Sequence, residues 1–384
     1  MDGLVLGIDI GDEASHVSFY DSSRSLAETV PFEGNSQAQR NHMPLSSIYA
    51  IDGQQGQVRE MMKLLAPLIA AARKHCGCNR VDRLCITTDV FSRQRLDVIR
   101  RACVGLDGDM DRIAFISHEE CLGFYAFNLH QDMWRNGVVL MDYSSQGLHA
   151  CRLEQLKVRH QEVIAQTATD ADACEKVIDG LKIADRIQGL KAVEDRLLLS
   201  AKNVIQDKPT SSVYLTGPGF DTTTLPGEFL QYVCNRHRVF AGQNIYVNGA
   251  CEAAWRSGQE TKVSLACHNR LAVTIDMDIV ERGKNMLFRV AQAGTNWYHA
   301  CRQVDFIADM CDHLTLHMHP MGDAGDYDEV IDFGEFPYRE GKTTRLGVSF
   351  MFKGDDCLEV EIVDKGFGDF VKPSGKTVTR TLKL

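Results

Sequence analysis

The sequence predicts an α/β protein that ends in a region of β-strands alone. Three observations carry this. The chain opens on two apolar runs joined by a short turn, "LVLGIDIGDEASHVSFYD". Strand-like and helix-like patterns then alternate as far as about residue 258, the sign of an α/β arrangement. From residue 263 only short strand-like runs remain, split by turns such as "GD", "KG" and "SG". The expected organisation is therefore one region over 1–258 and a β-sandwich over 263–384, joined by the polar stretch 258–262.

The elements are read in order. Residues 4–10 and 15–20 form a hairpin. "MPLSSIYAID" (43–52) reads as an edge strand entered at Pro44. "QVREMMKLLAPLIAAARKH" (57–75) is a helix, because Met61, Leu64, Leu65, Leu68, Ile69 and Ala72 fall on one face. Pro67 is expected to kink it. Residues 81–89 are a buried strand, and 92–106 a helix with Ser92 as N-cap. Residues 112–130 run from a strand into a helix, and 136–154 form a strand, a turn and a strand. One or two helices span 172–206. A strand over 211–220 ends in Gly-Pro-Gly. Helices follow over 225–237 and, in "NGACEAAWRS", over 248–257. No tandem repeat is read.

Composition narrows the function. The 384 residues are 44% hydrophobic and 24% charged, with a formal net charge of −10 and no long basic run. That argues against a nucleic-acid or anionic-membrane surface as partner. The longest apolar run, "LLAPLIAAA", is too short to span a bilayer. With no basic leader at the N-terminus, the cytoplasm is the expected location. Thirteen scattered cysteines without a Cys-x-x-Cys pair read as buried reduced thiols. In "CDHLTLHMHP" the alternation puts His313, Thr315, His317 and His319 on one side of a strand, read as a solvated face and not as a metal site. Neither a P-loop nor a Gly-x-Gly-x-x-Gly motif is present.

Four segments carry the candidate chemistry. They are "GIDIGDEASHVSFYD" with Asp9, "VVLMDYSSQGLHACRL" with Asp142, "ISHEECLGFYAFN" with Glu119, and "VYLTGPGF" with Gly217 and Gly219. In this order they resemble the actin/Hsp70/sugar-kinase ATPase superfamily. The resemblance implies a two-lobed, ribonuclease H-like nucleotide-binding fold. It implies ATP or ADP with Mg²⁺, which prefers few carboxylates and several waters. Asp9 and Asp142 would meet that metal through water. Gly11 and Asp12 of the first loop, and Ser144, Ser145 and Gly147 of the second, would face the phosphates. Glu119 and Asp142 would serve the attacking water. Gly217 and Gly219 would form the turn beneath the adenosine.

The likeness is nearest to Hsp70 and extends into the C-terminal region. "VIDFGEFPYREGKTTRLGVSFMFKGDDCLEVEIVDKGFGD" (330–369) is similar to the Hsp70 substrate-binding β-sandwich, and no helical lid is read after it. "RVFAGQNIYVNGACEAA" and "AGTNWYHA" resemble Hsp70-like proteins of unassigned function. The loops depart from the active pattern. Asp12 and Glu13 stand where small hydroxyl residues face a phosphate, and two carboxylates there repel it by several kcal/mol unless screened. Tyr143-Ser144-Ser145-Gln146-Gly147 replaces a glycine-lined nest, and "SSIYAIDGQQGQVREMM" offers Arg59 but no lysine. The expectation is a divergent chaperone-type protein that binds ATP with weak or no hydrolysis. The alternative is a pseudo-ATPase scaffold or interaction module, and a small-molecule kinase fits less well. A protein or peptide partner is expected at the sandwich.

Overall fold

The structure is a computed structural model. It describes residues 3–12, 14–31, 43–88, 90–106, 112–129, 131–133, 135–144, 147–158, 161–168, 186–206, 208–220, 227–242, 244–257, 263–308, 312–322, 324–334, 336–337, 339 and 344–384. The chain divides into two compact units, residues 1–156 with 162–267, and residues 268–384 with 157–161. Among the described residues no helix is long and apolar enough to cross a membrane.

The first unit begins with β1 (Leu4–Ile10), β2 (Ser15–Asp21) and β3 (Leu26–Thr29), then α1 (Leu45–Tyr49) and α2 (Gln54–Cys76). Next come β4 (Val81–Thr88), α3 (Arg93–Gly105), β5 (Ile113–Ser117) and α4 (His118–Asn128). The five strands form one sheet in the order β3-β2-β1-β4-β5. The first three strands are antiparallel, and β1, β4 and β5 are parallel. The chain continues through β6 (Val138–Ser144), β7 (Gly147–Val158), β8 (Gln161–Ala168), α5 (Arg186–Ile205), β9 (Ser212–Thr216), α6 (Gly227–Val233), β10 (Arg238–Ala241), α7 (Ile245–Arg256) and β11 (Val263–Ala266). These strands form a second sheet, β10-β9-β6-β7-β8-β11.

The second sheet repeats the first. In each, the opening strand pairs antiparallel with its hairpin partner and parallel with the strand that follows a helix. The register repeats as well. Asp9 lies opposite His16 on one side and Thr87 on the other. Asp142 lies opposite His149 and Thr216. The sequence has no tandem repeat, and the likeness of the two sheets is one of topology and register, with few shared side chains.

The helices follow from their apolar spacing. The buried residues of α2 are Met61, Leu64, Leu65, Leu68, Ile69 and Ala72, the face read from the sequence. Gly77 ends the helix in the left-handed conformation, at φ 63°. Ser117 and Glu120 close a capping box at the start of α4. Ser92 holds the N-cap position of α3, but its side chain makes no capping hydrogen bond.

The predicted edge strand over 43–52 is instead the short helix α1. Leu45 and Ile48 are its buried residues, at helical spacing. The Asp12 carboxylate accepts a hydrogen bond from Ser46 N at 2.6 Å, satisfying an amide that a helix start leaves unpaired. Strands β3, β8 and β10 were not expected from the sequence. Strand β11, placed by sequence in the sandwich, pairs in parallel with β8 in the first unit.

Helices α4 and α7 lie between the two sheets, sharing a core with Val5, Cys85 and Ile116 of one and Val138, Leu140 and Cys151 of the other. The opposite face of β6 points Val139, Met141 and Tyr143 into a second core with α5 and α6. Successive residues of β6 thus serve opposite faces, as a central strand must. Small residues let α7 approach closely. A Cβ on Gly7 would stand 2.4 Å from Cys251 N and Val247 O, and one on Gly249 2.1 Å from Cys121 O. Glu252 of α7 is buried and accepts hydrogen bonds from Ala27 N at 2.9 Å and from Asn128 Nδ2 at 2.7 Å. Burial pushes its carboxyl up to about 7.

The second unit holds β12 (Val273–Glu281), β13 (Lys284–Ala291), β14 (Arg302–Ala308), β15 (His313–Pro320), β16 (Tyr327–Asp332), β17 (Thr344–Phe352), β18 (Cys357–Gly366) and β19 (Thr377–Lys383). They form two antiparallel four-stranded sheets, β13-β12-β15-β16 and β14-β17-β18-β19. Buried and outward residues alternate along β18, so its sheet has one core face. Strand β14 was not foreseen. The buried Asp364 accepts from Arg339 Nη1 and Nη2, both at 2.6 Å, and from Gly366 N and Ser374 N. These four donors, led by the guanidinium, hold its carboxyl well below the usual range. Trp297 and Tyr298 are buried in the core.

Two outcomes follow. Gly249→Ala forces α7 away from α4 and is expected to cost roughly 1–3 kcal/mol in urea denaturation. Because Glu252 is held protonated in the folded state, stability falls as pH rises from its ordinary value near 4.5 to about 7, then levels off. The full effect is on the order of 3 kcal/mol, and Glu252→Gln removes that part of the pH profile.

Candidate functional site

Two hairpins of the first unit carry the candidate carboxylates. The β1–β2 turn is closed by Gly11 N donating to Ala14 O at 3.2 Å. The β6–β7 turn resumes at Gly147, with φ 121°, a value that favours glycine. Asp9 is the penultimate residue of β1. Asp142 sits two residues before the end of β6.

Both carboxylates are engaged by side chains of the helices between the sheets. His118, the first residue of α4, donates from Nε2 to Asp9 Oδ1 at 2.8 Å. Tyr246 of α7 donates its hydroxyl to Asp142 Oδ2 at 2.6 Å. The His118 and Tyr246 rings stack, with centroids 3.9 Å apart and planes 3° from parallel. Asp9, His118, Tyr246 and Asp142 therefore form a continuous string from the first sheet to the second. Next to His118, Glu119 lies in the first turn of α4, where the helix dipole favours a carboxylate. Its Oε1 is 3.7 Å from His149 Nε2.

Burial pushes the Asp142 carboxyl above its ordinary value, and the Tyr246 hydrogen bond pulls the other way. Burial raises Tyr246 well above the usual phenol range, and the Asp142 charge adds to this. The phenol thus keeps its proton and remains a donor.

The remaining predicted residues are placed as follows. Asp12 caps α1 through Ser46 N. Gly217 has φ 92°, and a Cβ there would stand 2.5 Å from Asp142 Oδ1 and Tyr143 O. A Cβ on Gly219 would stand 2.3 Å from the Tyr143 ring. Close packing against β6 therefore requires both glycines, whatever else the turn does. Ser144 ends β6, and its side chain is outside the described residues, as are Ser145 and Glu13.

A hydrated Mg²⁺ would need carboxylate oxygens turned toward its water shell. Asp142 has Oδ2 on Tyr246 and Oδ1 against Gly217, while Asp9 Oδ1 is on His118. Among the described residues, no group of three or more His, Cys, Asp or Glu is arranged to hold a metal ion.

Sequence reasoning placed Asp9, Asp142 and Glu119 but missed His118, Tyr246 and His149. Two signals were present. The spacing Asp9–His16 recurs as Asp142–His149, and Tyr246 is a polar aromatic in a helix otherwise rich in small residues.

Residues 46–267 match the family described as "Family of unknown function (DUF5716) C-terminal". The chain belongs to that family. Residues 270–384 match "Domain of unknown function (DUF8552)". No curated protein sequence matches the chain. A solved structure, the ROK hexokinase from Thermus thermophilus, is similar at a TM-score of 0.39 and 12% identity. The match covers 67% of this chain and 100% of that one, and a likeness of that size assigns neither fold nor activity.

Tyr246→Phe leaves a buried carboxylate without its donor and is expected to cost about 1–3 kcal/mol at neutral pH. The cost shrinks in acid, where Asp142 is protonated in the variant. Paired with Asp142→Asn in a double-mutant cycle of urea melts, the two changes are expected to cost less together than their sum.

Proposed function

We propose that the protein is a pseudo-ATPase: an actin-like, two-lobed fold joined to an Hsp70-type β-sandwich, acting as an interaction module without turnover. The observation that carries this reading is the engagement of both hairpin carboxylates by protein side chains. Catalysis of phosphoryl transfer is mostly positioning and electrostatic stabilisation, with metal ions neutralising the developing charge. Here the Asp142 oxygens meet a phenol and a glycine turn, and Asp12 is drawn into a helix cap. The twice-used strand order, with Asp9 and Asp142 in equivalent register, supports the actin-like part.

A second reading is an ATP-binding, chaperone-type protein with weak hydrolysis. Two acid-bearing hairpins in matching register, followed by a Gly-Pro-Gly turn, are what favours it. In either case a protein or peptide partner would engage the β-sandwich. The described cysteines form no disulfide, which would suit a reducing compartment such as the cytoplasm.

Two measurements on the full chain separate the readings: calorimetric titration with ATP and ADP, with and without Mg²⁺, and release of phosphate from ATP. The pseudo-ATPase predicts no Mg²⁺-dependent turnover above that of an Asp142→Asn control. Turnover that needs Mg²⁺ and disappears in Asp142→Asn overturns it. Nucleotide binding without turnover favours the second reading's binding step while still denying hydrolysis.

A further inference from the structure

The outward face of the sheet β13-β12-β15-β16 carries a row of charged side chains that crosses all four strands. By register, Arg289 of β13 lies opposite Asp276 of β12, Asp276 opposite His317 of β15, and His317 opposite Asp328 of β16. His317 meets carboxylates on both sides. Its Nδ1 is 2.8 Å from Asp328 Oδ1, and its Nε2 is 3.1 Å from Asp278 Oδ2. Only an imidazolium has a proton on each nitrogen, so only the charged ring donates to both at once. The row then alternates in sign.

The outermost strand has little else to hold it. Among the described residues β16 pairs only with β15, and Ile331 is the buried residue of that strand. Its outward residues Asp328, Val330 and Asp332 are exposed. The other titratable groups facing the row reinforce the arrangement. His319 lies 3.0 Å from Asp326 and 3.8 Å from Asp276, which also accepts from Arg289 Nε at 2.5 Å. His313 lies 2.9 Å from Asp312 and opposite Asp332.

We propose that protonated His317 fastens the edge strand β16 to the sheet, so that β16 is held in mild acid and loosened as the ring loses its proton. Hydrogen bonds to Asp328 and Asp278 raise the pKa of His317 above its ordinary value of 6.5. A group raised on folding adds stability that is complete below its unfolded value and is lost as pH rises through the folded one. Above that point Asp276, Asp278 and Asp328 face one another across a neutral ring. Loosening β16 uncovers the hydrogen-bonding edge of β15, a template for strand addition. This inference is independent of the nucleotide question, because all the groups lie in the second unit.

Amide hydrogen exchange on the full chain tests it, at about pH 6 and about pH 8.5 and corrected for intrinsic exchange. The expected result is a roughly two- to fivefold lower protection of β16 at the higher pH, the size of exposed ion pairs, with β18 unchanged. His317→Asn is expected to give β16 the same protection at both pH values. Asp328→Asn, which keeps the ring and removes one carboxylate, is expected to shrink the drop if His317→Asn fails to fold. Equal protection of β16 at both pH values in the unaltered protein overturns the proposal. So does a drop that persists in His317→Asn or is undiminished in Asp328→Asn.

Discussion

The backbone approach of α7 to β1 and α4 is the constraint on which the first unit depends. Gly7 and Gly249 leave no room for a methyl group against Cys251 N, Val247 O and Cys121 O. Helix α7 follows the last strand of the repeated five-strand pattern in the second sheet, yet it lies against β1 and α4. That seating carries Tyr246 to within hydrogen-bond distance of Asp142 and brings its ring flat against His118. Moving α7 outward by the width of a methyl group would separate the rings and leave two partly buried carboxylates with fewer donors. Packing and polar chemistry therefore rest on the same small residues.

The string Asp9–His118–Tyr246–Asp142 also shows how each hairpin carboxylate is given a side-chain donor by a helix of the same unit. A carboxylate removed from water needs donors, because an unsatisfied charge in a protein interior costs far more than a hydrogen bond returns. Asp142 has a phenol whose own proton is held tightly by burial. Asp9 has an imidazole presented by a helix start that Ser117 and Glu120 fix in place. The two supports stack on each other, so neither ring is free to turn alone.

Legibility in the sequence follows the reach of each signal. The face of α2 was readable because its apolar spacing is local and long. The hairpins and Asp9 and Asp142 were readable because strand, turn and acid lie within a few residues. Helix α1 was misread because its cause is distant: Asp12 caps Ser46 across more than thirty residues. Strands β3 and β10 are four residues each, too short to show a period. His118 and Tyr246 acquire their roles only when α4 and α7 meet, a long-range event that spacing along the chain does not encode. The shared register of Asp9–His16 and Asp142–His149 was visible in principle, but a single pair of residues at equal spacing has meaning only once both strands are known to open equivalent sheets.

Asp12, one of the acids that departs from the active pattern, has a structural role that does not involve a ligand. The acid at position 12 completes a helix start, and the glycines at 217 and 219 make room for Tyr143 and Asp142. Asp12, Gly217 and Gly219 thus each serve capping or packing in their own right. A glycine that leaves room for a ligand also leaves room for a neighbouring side chain. Strand order and register are shared by the two sheets, while the chemistry at the hairpin ends is set locally. The decisive residues are the ones the resemblance did not supply, His118 and Tyr246, since they determine where the carboxylate oxygens point.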